Sequence, residues 1–167
     1  RMTPDFAAED MRWMREALAE AELAAAEGEV PVGAVLVAGG ILRGRGHNQR
    51  ERGRDATLHA EMIAIRNACG NMGGWRLPEA TLYVTLEPCP MCAGAAMNAR
   101  VDRIVFGAPD PKSGACGSVL DLPASGMLNH SAVVTGGVLA EECVALLRSF
   151  FAGRRDAGRK GRELEHD

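Results

Sequence analysis

Apolar residues recur at helical spacing through residues 7–27, a stretch rich in Ala, Glu and Leu that runs up to Gly28, and this pattern predicts a helix. The periodicity then changes. Val30 to Val37 is a short β-branched apolar run, and Gly39-Gly40 offers a tight turn into a second run from Ile41 to Gly46, so a hairpin is expected. Residues 47–56 are polar and charged and read as a loop. Helical spacing returns from Leu58 to Ala68, with Thr57 expected as N-cap and Gly70 and Gly73-Gly74 marking the end. Ala80 to Leu86 predicts a buried strand, Pro90 to Arg100 a helix and Val101 to Gly107 another strand. Residues 108–129, dense in Gly, Pro and Ser, predict a long functional loop with room for a short helix. Ser131 to Thr135 is the last predicted strand and 139–155 the last long helix. Strands alternating with helices imply an α/β domain over residues 1–155, with a largely parallel or mixed sheet covered on both faces. The charged residues 156–167 are expected to form a poorly ordered tail.

Composition narrows this picture only modestly. A chain of 167 residues with 47% hydrophobic and 25% charged content can bury a proper core, which excludes a disordered chain. No apolar run approaches the roughly 20 residues that span a bilayer, and no charged-then-apolar export segment opens the chain, so no membrane contact is expected. The cysteines are Cys69, Cys89, Cys92, Cys116 and Cys143. An odd number with one close pair fits a reducing compartment better than a disulfide framework, and a cytoplasmic location is expected. A net charge of −3 argues against indiscriminate binding to nucleic acid but leaves room for local basic surface. Two segments are locally basic: Arg43, Arg45, Arg50, Arg52 and Arg54 in one, and Arg148, Arg154, Arg155, Arg159, Lys160 and Arg162 in the other.

The candidate chemistry lies in His59-Ala60-Glu61 and Pro88-Cys89-Pro90-Met91-Cys92. His59, Cys89 and Cys92 are zinc-type ligands. A closed structural zinc site uses four protein ligands, whereas a catalytic one keeps a position for water. Glu61 is a further carboxylate not needed as a ligand, and three ligands plus a proton carrier point to hydrolysis. Both halves fall at predicted helix starts. Residues two apart on a regular helix point away from each other, so His-x-Glu works best in a first turn. Pro90 suits the first helical position, where its missing N–H costs nothing, which would make Cys89 the cap and put Cys92 in the first turn. Each piece has a plainer reading: a surface histidine, a redox pair, an exposed helix carboxylate. A fourth ligand for a structural site is poorly supplied by the isolated His47, His130 and His166.

Around these motifs the chain resembles the tRNA-specific adenosine deaminase family, within the cytidine deaminase superfamily of zinc-dependent nucleobase deaminases. The resemblance is carried by Glu29-Val30-Pro31-Val32-Gly33-Ala34-Val35, by Gly46-His47-Asn48 and by Thr81-Leu82-Tyr83-Val84-Thr85-Leu86-Glu87-Pro88-Cys89. It continues in Phe106 to Ala115 and in Phe150-Phe151 with Arg154-Arg155, covering about residues 8–155. It implies a three-layer α/β/α fold and hydrolytic deamination of adenosine to inosine at the wobble position of a tRNA anticodon. It also implies a zinc ion on His59, Cys89 and Cys92, with Glu61 as the proton carrier. Asn48 would hydrogen-bond the base, Asp110 a ribose 2′-OH, and Val32 and Leu86 would form apolar pocket wall. Arg50, Arg52, Arg54, Arg154 and Arg155 are the candidate phosphate contacts, and a homodimer is implied. Leu58 before His59 and Pro109 before Asp110 depart from the residues common in the family. Two other readings stay open: a deaminase of a free base or nucleoside such as guanine or cytosine, and a non-catalytic zinc-stabilised RNA-binding module.

Overall fold

The computed structural model describes residues 6–164. In chain order its elements are α1 (Ala7–Ala26), β1 (Gly33–Ala38), β2 (Ile41–His47), α2 (Ala60–Met72) and β3 (Ala80–Leu86). They continue with α3 (Pro90–Asn98), β4 (Arg103–Ala108), β5 (Val133–Thr135) and α4 (Ala140–Leu164). The strands form a 5-stranded sheet in the order β2-β1-β3-β4-β5, in which β1 runs antiparallel to β2 and β3, while β3, β4 and β5 are mutually parallel. Side chains of a strand alternate between faces, and this alternation divides the core in two. Leu36, Leu82, Val84 and Ile104 pack with Ala60, Ala64, Ala93 and Ala96 of α2 and α3. Val35, Val37, Tyr83 and Val105 pack with Trp13, Met14 and Ala17 of α1 and Cys143 of α4. The expected three-layer α/β/α architecture with a mixed sheet is therefore present.

Small residues let one helix come close to the sheet. A Cβ on Gly46 of β2 would lie 2.7 Å from the Ala60 carbonyl oxygen, so only glycine admits the start of α2 here. Because the register pairs Gly33 with His47 and Ala34 with Val84, the start of β1 and the ends of β2 and β3 share one sheet edge. The starts of α2 and α3 reach that same edge, through the connections that follow β2 and β3. Functional residues of open α/β sheets gather at the carboxyl ends of parallel strands for this topological reason.

Several expected boundaries shift. Thr57 is not the N-cap of α2, because its N–H and hydroxyl both donate to Asp55 Oδ1 at 2.8 and 2.7 Å and so belong to a preceding turn. His59 takes the cap position instead, in an extended conformation (φ −77°, ψ 153°), and the helix passes through Gly70 to end at Gly73, whose φ of 77° is the left-handed closing conformation. Residues 30–32 precede β1 rather than opening it: Val32 N–H donates to the Val30 carbonyl in a tight turn, and Pro31 has no N–H to give a ladder. Residues 109–132 contain turns and an isolated bridge between Cys116 and Asp121 but no helix. The charged segment expected to be a poorly ordered tail is helical as far as Leu164, with residues 165–167 outside the described ones. Its Arg and Lys residues are good helix formers, and their charge suits a helix C-terminus.

Candidate metal centre and its pocket

Two helix starts face each other. Cys89 caps α3 in an extended conformation (φ −72°, ψ 173°), with Pro90 next and Cys92 in the first turn. Sγ of Cys89 and Sγ of Cys92 each lie 3.6 Å from His59 Nδ1. All three donor atoms fall within 4.8 Å of one another, and Cys92 is buried. One nitrogen and two sulfurs at this spacing form a donor set that fits zinc, with a fourth position left for a non-protein ligand. The residues present therefore fit the ion that the motif implies.

The three donors also perturb one another's protonation. The hydrogen bond from Cys92 draws the Cys89 thiol down to about 4, against the effect of burial and with His59 assisting. Cys92 is pushed strongly upward by that same hydrogen bond and by burial, so the pair shares a proton that a cation would displace. The contact with Cys89 raises the His59 imidazole, and the charges of Glu61 and Cys89 add to it while burial opposes. Glu61, in the first turn of α2 and 4% exposed, is raised to about 7 chiefly by burial. It sits beside the three donors without being one of them.

A cavity of about 230 Å³ opens above this cluster, lined by Val32, Asn48, Glu61, Leu86, Asp110 and Arg50 among others. That volume is smaller than the roughly 300–1,000 Å³ that encloses a drug-sized ligand, and suits a single base. Asn48 is buried, with Nδ2 donating to the Val30 carbonyl at 3.3 Å and Oδ1 accepting from Arg50 N–H at 3.1 Å. An amide carries two donors and two acceptor lone pairs, so one of each remains for a ligand. Asp110 Oδ1 accepts from the N–H groups of Lys112 and Ser113 at 3.0 and 3.2 Å, which closes a loop turn and leaves Oδ2 outside that turn's hydrogen bonds.

The arginines divide. Arg50 lines the cavity, whereas Arg52 pairs with Glu27 at 3.2 Å and Arg54 is exposed at a φ of 50°. Arg154 donates to the Gly28 carbonyl at 3.0 Å and stacks on Phe150, so it ties α4 to the end of α1. Arg155 borders an open groove with Phe151, Arg159 and Arg162.

Two buried carboxylates that anchor loops around the cavity were not anticipated from sequence. Glu29, 1% exposed, accepts the N–H groups of Glu51 and Arg52 at 3.2 and 2.7 Å and so anchors the loop that carries Arg50. Glu87, 2% exposed, does the same for the loop that carries Asp110. Burial alone would raise Glu87, but hydrogen bonds from Ser118, Asp110 and Cys116 outweigh it and hold the group below its ordinary value. Both stand in segments that carry the family resemblance, yet a carboxylate next to a strand is usually solvated, and nothing local tells the two cases apart.

Residues 7–108 match the family model for the cytidine and deoxycytidylate deaminase zinc-binding region. A tRNA-specific adenosine deaminase of Bacillus subtilis (strain 168) is 49% identical over 155 residues, which covers 93% of this chain and 96% of the relative. A solved structure from work on A-to-I editing by tRNA:A34 deaminases at the wobble position of transfer RNA superimposes with a TM-score of 0.78. It is 43% identical, over 81% of this chain and 98% of that one. A guanine deaminase from Nitrosomonas europaea superimposes with a TM-score of 0.73 at 25% identity, covering 90% of this chain and 94% of that one. Among the described residues, no helix is long and apolar enough to cross a membrane.

Proposed function

The chain belongs to the tRNA-specific adenosine deaminases, among the zinc-dependent deaminases that share the cytidine and deoxycytidylate deaminase zinc-binding region, and from that premise we propose that it converts the wobble adenosine of a tRNA anticodon to inosine, with release of ammonia. The observation that carries the reading is Glu61, buried in the floor of a base-sized cavity beside three zinc-type donors.

His59, Cys89 and Cys92 would hold a zinc ion, which would supply the Lewis acidity that activates a water for attack on C6 of the base. The rest falls to the chain's own groups. Glu61 takes a proton from the attacking water, passes it to ring N1 and serves the departing amine in the same way, so one carboxylate acts as base and then as acid. A proton affinity raised by burial suits it to both directions. Asn48 offers its spare donor and acceptor to the base edge, while Val32 and Leu86 provide apolar wall. Asp110, with an oxygen to spare, accepts from a ribose 2′-OH, a contact that separates RNA from DNA. Arg50 at the rim is the nearest phosphate partner, and Arg52, Arg54, Arg154 and Arg155 extend the basic surface around it.

The working form is a cytoplasmic homodimer. Val119 at 55%, Met127 at 88% and Val133 at 66% exposure leave apolar surface that a second copy would cover, and sedimentation of the purified protein tests this. A second reading, deamination of free guanine, draws on the likeness to the guanine deaminase fold. Ammonia release from an anticodon hairpin bearing adenosine at the wobble position, run beside the same hairpin bearing guanosine, tests the proposal. Release from the adenosine hairpin alone is expected.

A further inference from the structure

The loop after β4 has no regular structure between Pro109 and Ala132, yet it places Asp110 and Ser113 in the cavity wall. Something outside the loop must fix it. Glu87 Oε1 accepts from Asp110 N–H at 3.2 Å and from the Ser118 hydroxyl, while Oε2 accepts from the N–H groups of Cys116 and Ser118, both at 3.1 Å. These donors lie 23 to 31 residues further along the chain. The approach is close: a Cβ on Gly114 would fall on the Glu87 carboxylate itself. Ala115 N–H reaches back to the Pro88 carbonyl at 2.8 Å, so the loop is drawn onto the segment that leads into Cys89.

We propose that Glu87 is a positioning residue for substrate recognition: it holds the Asp110–Ser118 loop against the pocket mouth, and its loss weakens engagement of the RNA rather than the chemistry at the base. This rests on the deaminase reading above. Four accepted hydrogen bonds at a buried carboxylate are a strong anchor, since bonds to a charged acceptor are the strong ones. Pinning Asp110 before the RNA arrives removes an ordering cost from binding.

The isosteric Glu87→Gln variant separates this role from a merely structural one. With its amide oxygen towards the Cys116 and Ser118 N–H groups, its NH2 group meets the Asp110 N–H, donor against donor, and that bond is lost, while the Ser118 hydroxyl turns to accept from the NH2 group. In the zinc-loaded enzyme, KM for an adenosine anticodon hairpin should rise about tenfold. Meanwhile kcat should stay within about threefold and zinc content should be unchanged. In an Asp110→Ala background the same change should alter KM by less than about twofold, because the two residues act through one contact. An unchanged KM, full additivity with Asp110→Ala, or loss of zinc together with kcat would each overturn the proposal. Should Glu87→Gln fail to fold, Ser118→Ala at an exposed position removes one of the four bonds and should raise KM about threefold. An unaltered KM in that variant would equally count against the role. Amide exchange at Asp110 supplies a readout independent of turnover. It should accelerate at least about tenfold in Glu87→Gln, or in Ser118→Ala if that variant replaces it, even if the wild type proved inactive on RNA. Wild-type exchange there would dismiss the anchor, whereas an inactive wild type with accelerated exchange in the variant would count against the deaminase reading alone.

Discussion

His59 Nδ1 and Cys92 Sγ lie 3.6 Å apart across 33 residues of sequence, each at the start of a different helix. Chain connectivity does not bring them together; packing of α2 and α3 on one sheet face does. A cation bound there links the two helices directly, so metal binding and stability are coupled. Cys92→Ala should therefore abolish zinc retention and lower the thermal midpoint by several degrees, because a buried ligand and a cross-link go together. Metal analysis and a thermal melt of the purified variant check this.

Glu61→Gln should behave in the opposite way. The amide cannot carry a proton between water and the base, so kcat should fall by on the order of 10²–10⁴ while zinc content stays at the wild-type level. Near-normal turnover in that variant would remove Glu61 from the role assigned to it.

The same substitution should alter stability in the zinc-stripped protein, with a definite sign. Glu61 is raised from 4.5 to about 7 chiefly by burial, so the folded state binds its proton more tightly than the unfolded state. Its contribution to stability is then fully present below pH 4.5 and lost as pH rises through about 7. Gln remains neutral throughout. Zinc-stripped Glu61→Gln should match wild type near pH 4.5 and exceed it above pH 7 by up to about 3 kcal/mol. Urea unfolding in chelator at the two pH values measures the difference, and parallel curves would contradict it.

Asp10 and Arg103 form a two-pronged ion pair, at 3.0 and 2.9 Å, to which the Tyr83 hydroxyl also donates at 3.0 Å. It ties the first turn of α1 to the start of β4 with both side chains largely buried. Arg103→Met leaves the Asp10 charge unpaired and should cost about 3–5 kcal/mol, whereas the double change Asp10→Leu with Arg103→Met should cost much less. Denaturant unfolding of the single and double variants tests the asymmetry.

The metal cluster was legible in the sequence because its geometry is local. His59-x-Glu61 needs only a helix start, and Cys89-Pro90-x-Cys92 carries its own cap signal in the proline. The order of strands and helices was legible from periodicity for the same reason. The fine boundaries were not: Thr57 is a good cap by type, but Asp55 takes both its donors, a competition between neighbours that type preferences do not weigh. The continuation of α4 to Leu164 was hidden by a charge run that reads equally as solvated coil or as exposed helix. Glu29 and Glu87 were hidden for a deeper reason. Apart from the Ser118 hydroxyl, their partners are backbone N–H groups 22 to 31 residues away, and a backbone donor has no signature in sequence.

The most direct measurement is mass spectrometry of nucleosides after incubating the zinc-loaded protein with an adenosine anticodon hairpin, free adenosine, cytidine and guanine side by side. Inosine from the hairpin, in large excess over product from any free base or nucleoside, is the predicted result. Conversion of guanine with none of the hairpin adenosine would contradict the assignment of RNA as substrate.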